Sequence, residues 1–177
     1  KFGYSFNKMF ELNQSLKHLE FGYSFNKSIK LNMFLEYLKF GINFNQPIEL
    51  NHLLKYLDLG HHFNHPIKLN PNLTTLKIGK YFNNFINFNM AKLEYLVLGE
   101  KIDQTIEIPK SLKKLKIFVG DFDQPINLLD IKCLELNSKF IRYMGLIKFD
   151  LLNNKYQKLI DNLPESLEIL KLCDNLY

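Results

Sequence analysis

Histidine is the residue type in this sequence whose spacing comes closest to metal chemistry. His61, His62 and His65 lie within one short segment. A zinc site needs about four ligands at a recognised spacing, and no Cys or carboxylate completes such a set here. His65 also occupies a position that varies between related segments, where the chain has Lys27, Gln46 and Asn84. The sequence therefore predicts no metal site, and we interpret these histidines as incidental variation.

Catalytic motifs would be the other source of chemistry. The sequence has no recognisable Ser-His-Asp arrangement, Gly-rich phosphate loop or catalytic cysteine signature. Its glycines come singly at regular intervals, and its acidic residues belong to repeated columns. We therefore predict no enzymatic activity and no cofactor.

A repeat sets the positions of these side chains. A short motif that begins with Phe-Asn recurs at a constant interval, at Phe25–Ile29, Phe44–Ile48, Phe63–Ile67 and Phe82–Ile86. An earlier copy begins at Phe6, and degenerate copies follow at a slightly longer interval, at Ile102–Ile106 and Phe122–Ile126. A fixed period of about 20 residues is typical of a solenoid, in which successive coils stack.

A second motif, Leu-x-x-Leu-x-Leu or a close variant, shares this period and predicts the strands. It begins at Leu16, Leu35, Leu54, Leu73, Leu93, Leu112, Ile131 and Leu167. This is the strand signature of leucine-rich repeats, and its alternation indicates one buried face. The other half of each coil alternates too, as in Ile48-Glu49-Leu50, which favours a short extended segment over a helix. We predict a β-rich, leucine-rich-repeat-like right-handed stack of coils of about 20 residues each, with a parallel strand ladder and little helix.

The Phe-Asn motif is predicted to build the corners of the coils. The Phe rings should stack inward as an aromatic spine, and the Asn side chains should turn inward to satisfy backbone groups of neighbouring coils. The corner residues are Phe25, Asn26, Phe44, Asn45, Phe63, Asn64, Phe82, Asn83, Phe122 and Asp123. A single Gly ends most strands, where the corner needs a positive φ or a close approach between coils.

Two columns of side chains should project from the exposed side of the strand ladder, and we predict that they form a protein-binding face. The first column contains His18, Tyr37, Tyr56, Thr75, Tyr95 and Lys114, followed by Cys133. The second contains Lys39, Asp58, Lys77 and Lys116, together with Glu20, Val97 and Glu135. Tyrosines flanked by charges suit an interface. The alternative is structural, with tyrosines that pack across strands and opposite charges that pair on neighbouring strands.

The amino-acid composition limits the classes of protein to which this chain can belong. The chain of 177 residues is 46% hydrophobic and 23% charged, which predicts a folded protein and not a disordered one. No apolar run approaches the roughly 20 residues that cross a bilayer. Cys133 and Cys173 form no disulfide framework, which favours free thiols and a cytoplasmic location, the host cytoplasm if the source is viral.

The net charge of +5 leaves a second functional class open. A basic balance can indicate binding to nucleic acid or to anionic lipid. Abundant Asn, Lys, Ile, Phe and Tyr with no Trp is instead typical of an AT-rich coding sequence, and the alternating signs of the second column argue against a phosphate-binding stripe. Nucleic acid is therefore the less favoured partner, and a structural spacer without a specific partner is the third alternative.

Together, the two motifs resemble those of the FNIP-repeat family, leucine-rich-repeat relatives found in social amoebae and in giant viruses that infect amoebae. The resemblance covers roughly residues 1–136 and returns at 163–167, although no copy spells Phe-Asn-Ile-Pro. It implies a protein-interaction scaffold, not a catalyst. Many family members resemble substrate receptors of ubiquitin ligases with an F-box ahead of the repeats, and no F-box is visible in this sequence.

We predict one repeat domain over residues 1–177. The regular repeats cover about 1–136, an irregular stretch follows at about 138–162, and a final repeat covers about 163–177. The irregular stretch is interpreted as a worn repeat, with an inserted binding loop as the alternative. Because the sequence begins at Lys1, partway through a repeat, we expect it to be a piece of a longer protein.

Overall fold

The fold is a stack of coils joined by one parallel sheet. The structure, a computed structural model, describes residues 1–102, 106–119, 128, 131–138 and 163–174. Within these ranges eight strands pair in chain order, each with the next. They are β1 (His18–Glu20), β2 (Tyr37–Lys39), β3 (Tyr56–Asp58), β4 (Thr75–Lys77), β5 (Tyr95–Leu98), β6 (Lys114–Val119), β7 (Cys133–Ser138) and β8 (Ile169–Asp174). The β-rich, leucine-rich-repeat-like solenoid predicted from the repeats is confirmed.

The leucines of the strand motif hold the ladder in register. Leu38, Leu57 and Leu76, the central residues of β2, β3 and β4, are completely buried. Because side chains alternate along a strand, the residues on either side of each central leucine face outward. The pairing is without offset from coil to coil, so Leu38 lies opposite Leu57 and equivalent outer residues also become direct neighbours.

Stacked phenylalanines form the second part of the core. Phe25, Phe44, Phe63 and Phe82 are at most 2% exposed. Their ring centroids are separated by 6.1, 6.0 and 6.1 Å from one coil to the next, with the rings within 7° of parallel. Burial of these rings supplies much of the hydrophobic stabilisation between coils, because a single coil cannot bury its own apolar residues.

The asparagines after these rings form a ladder at the surface. The backbone N–H groups of Asn26, Asn45, Asn64 and Asn83 each donate to the side-chain Oδ1 of the equivalent Asn one coil earlier, at 2.8–3.0 Å. Asn45, Asn64 and Asn83 are exposed. The prediction that these side chains turn inward was wrong, because each Asn directly follows an inward-facing Phe and consecutive side chains of extended backbone point to opposite sides.

A second asparagine ladder lies inside the turns before β2, β3 and β4. Asn32 Nδ2 donates to the carbonyl oxygens of Asn13 and Leu16, at 2.8 and 3.0 Å. Asn51 Nδ2 donates in the same way to the carbonyl oxygen of Asn32, at 2.6 Å. Asn32 and Asn70 are only 3% and 5% exposed. These side chains satisfy carbonyl groups that the tight turn leaves without a strand partner.

The glycines after the strands allow the coils to approach closely. A Cβ atom added at Gly41 would collide with the backbone carbonyl of Gly22, and one added at Gly79 would collide with that of Gly60. Gly60 alone among the described glycines has a positive φ, of 71°. Close stacking is therefore the general reason for glycine at this corner, and backbone conformation adds to it at Gly60.

The back of the solenoid absorbs a change in coil length. One extra residue enters between Phe88 and Leu93, where earlier coils have a shorter turn. The described residues contain a short 3₁₀ helix at this place, Phe88–Met90, and the N–H of Asn89 donates to Oδ1 of Asn87 at 3.1 Å. The strand register is unaffected, since Lys77 still pairs with Val97. The insertion is therefore confined to the side opposite the strands.

Some of the predicted features lie outside the described residues. These are the corner residues Phe122 and Asp123 and the irregular stretch from residue 139 to residue 162. In the part of the chain that the structure describes, no helix has the length and apolar character to cross a membrane.

Candidate protein-binding face

The strands bring the two predicted columns together on one surface, which we call the strand face. It consists of the outward residues at the first and third positions of β1 to β6. Tyr37 lies directly opposite Tyr56, and Lys39 lies opposite Asp58. Lys77, Tyr95 and the remaining members of each column follow in the same register.

The first column begins with a stack of three rings. The centroids of His18 and Tyr37 are 4.0 Å apart, and those of Tyr37 and Tyr56 are 4.1 Å apart, with the rings within 9° of parallel. Thr75 interrupts the stack. Tyr95 continues the column, with the ammonium of Lys114 at 4.9 Å from the centre of its ring. The rings thus form a flat, ordered surface whose conformational entropy is already lost before a partner binds.

The two stacked tyrosines remain neutral over the physiological pH range. Burial, reinforced by a hydrogen bond with Tyr56, raises the pKa of Tyr37 from 10.0 to about 12. Burial also raises the pKa of Tyr56. The hydroxyl groups are therefore available as neutral hydrogen-bond donors and acceptors at the edge of the strand face.

Charges at the two ends of the second column are paired. Glu20 lies 3.0 Å from Nε2 of His18 and 3.2 Å from Nζ of Lys1, and hydrogen bonds from these groups lower the pKa of Glu20. At the other end, Glu135 lies 2.8, 3.7 and 3.5 Å from the ammonium groups of Lys114, Lys116 and Lys171. The hydrogen bond from Lys114 lowers the pKa of Glu135.

In the middle of the second column, the charges do not pair across neighbouring strands as the structural alternative predicts. Lys39, Asp58 and Lys77 form no ion pair with another described residue, although their signs alternate on neighbouring strands. The Asp58 carboxylate instead accepts the N–H of Gly60 at 3.2 Å, and the Lys77 ammonium lies 5.3 Å from the ring centre of Tyr56. The structural explanation of these charges therefore holds only at the ends of the column.

Sequence reasoning missed a third column, which borders the strand face just before each strand. The Glu36 carboxylate lies 3.5 Å from Nζ of Lys17 and 2.7 Å from Nζ of Lys55. Glu94 and Lys113 pair at 2.9 Å. The repeat period could have shown this column, because Lys17, Glu36 and Lys55 are one coil apart in the sequence and alternate in sign.

A cleft opens beside the strand face where β4 to β6 end. Its volume is about 480 Å³, and its lining includes Asp58, Lys77, Tyr95, Val97, Lys116 and Phe118. Lys80 and Glu100 also line it and pair with each other at 2.9 Å. The cleft is therefore amphipathic, with an apolar floor and charged walls.

The three clustered histidines are separated in the structure. His61 lines the cleft, His62 packs edge-on against Tyr81 with centroids 5.1 Å apart, and Nε2 of His65 lies 3.2 Å from the carbonyl oxygen of Asn45. Within the described ranges, no three His, Cys, Asp or Glu side chains are grouped so that they could hold a metal ion.

Comparisons with known proteins show a similarity to a solved structure. No protein-family model matches the chain, and no curated protein matches it. Among solved structures, the chain is similar to CroV588 of a giant virus, described as a novel circular LRR protein, with 22% sequence identity and a TM-score of 0.49. The match covers 98% of this chain and 36% of that chain, so this chain spans about a third of its length. The assignment of a leucine-rich-repeat-like fold therefore rests on the strand motif and the parallel strand ladder of this chain, and not on that similarity.

Proposed function

We propose that the strand face binds a partner protein. The observation that carries this proposal is the middle of the second column, where Lys39, Asp58 and Lys77 lie beside stacked rings and form no ion pair with a described residue. Charges that stabilise the fold would be paired with each other, whereas charges that recognise a partner have to be free for it. Stacked-coil proteins commonly use such extended, rigid surfaces for binding.

Replacement of the tyrosines tests this proposal. We expect the triple variant Tyr37→Thr, Tyr56→Thr and Tyr95→Thr to bind an affinity-purified partner at least about tenfold more weakly. Threonine is chosen because Thr75 already occupies the same column. The partner is identified by mass spectrometry on the wild-type protein, and its affinity for each variant is then measured by surface plasmon resonance.

A matched control removes three tyrosines from outside the strand face. Tyr4, Tyr23 and Tyr81 are 66%, 37% and 39% exposed, so their replacement by Thr makes the same change of composition elsewhere. This control should bind as the wild type does. Equal affinity of the strand-face variant and the wild type, with unchanged circular dichroism, would refute the assignment of this surface.

The setting of such binding is a further part of the proposal. By the resemblance of its repeats, we propose substrate recognition for a ubiquitin ligase in the cytoplasm. Ligase subunits recovered together with the protein and its partner would support that setting. Binding to DNA or anionic vesicles that falls steeply with salt would instead favour a phosphate-binding module.

A further inference from the structure

We propose that the cleft above Val97 is an anchor site of the strand face and takes one apolar side chain from an acidic segment of the partner protein. This inference rests on the proposed function, since the cleft adjoins the strand face. It specifies the chemical character of the partner segment that the strand face would bind.

Val97 is the exception in its column. Every other described strand from β1 to β7 has a charged residue at the equivalent position, namely Glu20, Lys39, Asp58, Lys77, Lys116 and Glu135. Val97 is 6% exposed and lines the cleft. Val97 is thus an apolar residue in a column of charged ones, and its neighbours cover most of its surface.

The lysines on both sides of Val97 lean away from it. The Lys77 ammonium lies 5.3 Å from the ring centre of Tyr56, which is on β3. The Lys116 ammonium lies 5.1 Å from the ring centre of Phe118 and 3.7 Å from Glu135, which is on β7. The two ammonium groups therefore point to opposite sides of β5, and Val97 lies between them at the floor of the cleft.

The charge around this opening is positive. Lys114, Lys116 and Lys171 share the single carboxylate of Glu135. In the lining of the cleft itself, Lys77, Lys80 and Lys116 outnumber the carboxylates of Asp58 and Glu100. Carboxylates on either side of an inserted apolar residue would therefore meet ammonium groups that lack a full complement of charge.

The dimensions of the cleft suit one anchoring side chain. A volume of about 480 Å³ has room for one large apolar side chain and lies within the usual range of small-molecule pockets. Tyr95 and Phe118 provide aromatic surface beside Val97. An apolar anchor in a pocket with charged residues around it is the usual arrangement of a binding hot spot.

Selection from a random-peptide phage library tests the proposal. We expect the wild-type protein to enrich peptides in which one Leu, Phe or Tyr lies between Asp or Glu residues. The most enriched peptide is synthesised with a fluorescent label, and its affinity is measured by fluorescence anisotropy for the wild type and for three variants that retain the wild-type circular dichroism.

The three variants separate charge from the apolar floor. Lys77→Glu should weaken binding about tenfold, because it reverses a charge beside the cleft without breaking an ion pair. Lys27→Glu makes the same change of net charge at an exposed corner outside the strand face and the cleft lining, and it should change the affinity by less than about twofold in physiological salt. Val97→Lys places on β5 the residue type that β4 and β6 have, and it should also weaken binding about tenfold.

Other outcomes overturn the inference in distinguishable ways. Enriched peptides that are basic, or that bind the Val97→Lys and wild-type proteins equally, would show that the cleft is not the anchor site. If those peptides still lose affinity in the triple tyrosine variant, the strand face stands as the binding surface. If the wild type enriches no peptide, the anchor site is refuted, and the proposed function then rests on the tyrosine test alone.

Discussion

At the scale of single residues, the strand face is set by contacts between neighbours on adjacent coils. Tyr37 is stacked between His18 and Tyr56, with ring centroids 4.0 and 4.1 Å away. Each ring therefore depends on the ring one coil away. A change at one position is expected to alter the order of the whole row, since the rings are in direct contact.

The raised pKa of Tyr37 predicts how stability depends on pH. The unfolded chain loses the Tyr37 proton near its ordinary value of 10.0, whereas the folded protein holds it to about pH 12. Deprotonation therefore favours unfolding between these values, so the stabilisation is complete below about pH 10 and is lost as pH rises through 12. We expect the wild-type free energy of unfolding to fall more steeply over this range than that of Tyr37→Phe.

Urea unfolding at a series of alkaline pH values measures this difference. Ultraviolet absorbance of tyrosinate in the folded protein gives an independent check, because Tyr37→Phe should lack one late-titrating group. Identical slopes for the wild type and the variant would contradict the raised pKa of Tyr37.

The sequence predicted the residues of the strand face but could not show the partners of each charge. Strand period and coil length determine which Cα positions are neighbours, and this was sufficient to place Tyr37 beside Tyr56. The Lys77 side chain has several rotatable bonds and selects a ring instead of the adjacent Asp58. The choice between a cation–π contact and an ion pair depends on small differences in free energy, and these cannot be derived from the spacing of residues in the sequence.

At the scale of the elements, the corners decide whether successive coils can stack. Gly41 lies against the carbonyl of Gly22, whereas a Cβ at the equivalent Gly3 would meet nothing within 4 Å. Replacement of Gly41 and of Gly3 by Ala is therefore the same substitution in equivalent corners, with an earlier coil in contact at Gly41 only. It separates the effect of coil stacking from the intrinsic effect of replacing glycine.

We predict that Gly41→Ala destabilises the protein by roughly 1–3 kcal/mol, because the backbone of the coil must move to admit the methyl group. Gly3→Ala should leave the free energy of unfolding nearly unchanged. Both values are measured by urea denaturation. A neutral Gly41→Ala variant would mean that the coils are not in the close contact that the structure has.

The elements also show where pattern reading succeeds and where it fails. The strands were predictable because buried leucines such as Leu38 and Leu57 recur with the period of the coil. The inner ladder of Asn32, Asn51 and Asn70 has the same period in the sequence and was missed, since asparagine in a turn is also common where it has no structural partner. Its burial becomes evident only when the neighbouring coil is in place.

At the scale of the whole molecule, the coils behave as equivalent units. Contacts run from each coil to the next, and the strand order follows the chain without a crossover in the described residues. Stability is then close to a sum of terms for single coils and for neighbouring pairs. The loss of one complete unit should therefore lower stability without changing the architecture.

Deletion of residues 42–60 tests this expectation. The deletion joins Gly41 to His61, which follows Gly60 in the next coil, so the corner sequence is preserved. We predict a folded protein with the same circular dichroism per residue, a lower free energy of unfolding and a smaller dependence on urea concentration. Deletion of residues 42–51 alone breaks the period and should prevent cooperative folding. Similar behaviour of the two deletions would argue against stacking of equivalent coils.

The 3₁₀ helix at Phe88–Met90 has a consequence for how a gene of this kind can change. An added codon at the back of a coil leaves every residue of the strands in its place, as the pairing of Lys77 with Val97 shows. Drift in length and selection on surface chemistry therefore act on opposite sides of the molecule. A lineage can gain or lose codons in the turns while it retains the recognition surface, or exchange single strand residues for a new partner while the turns stay as they are.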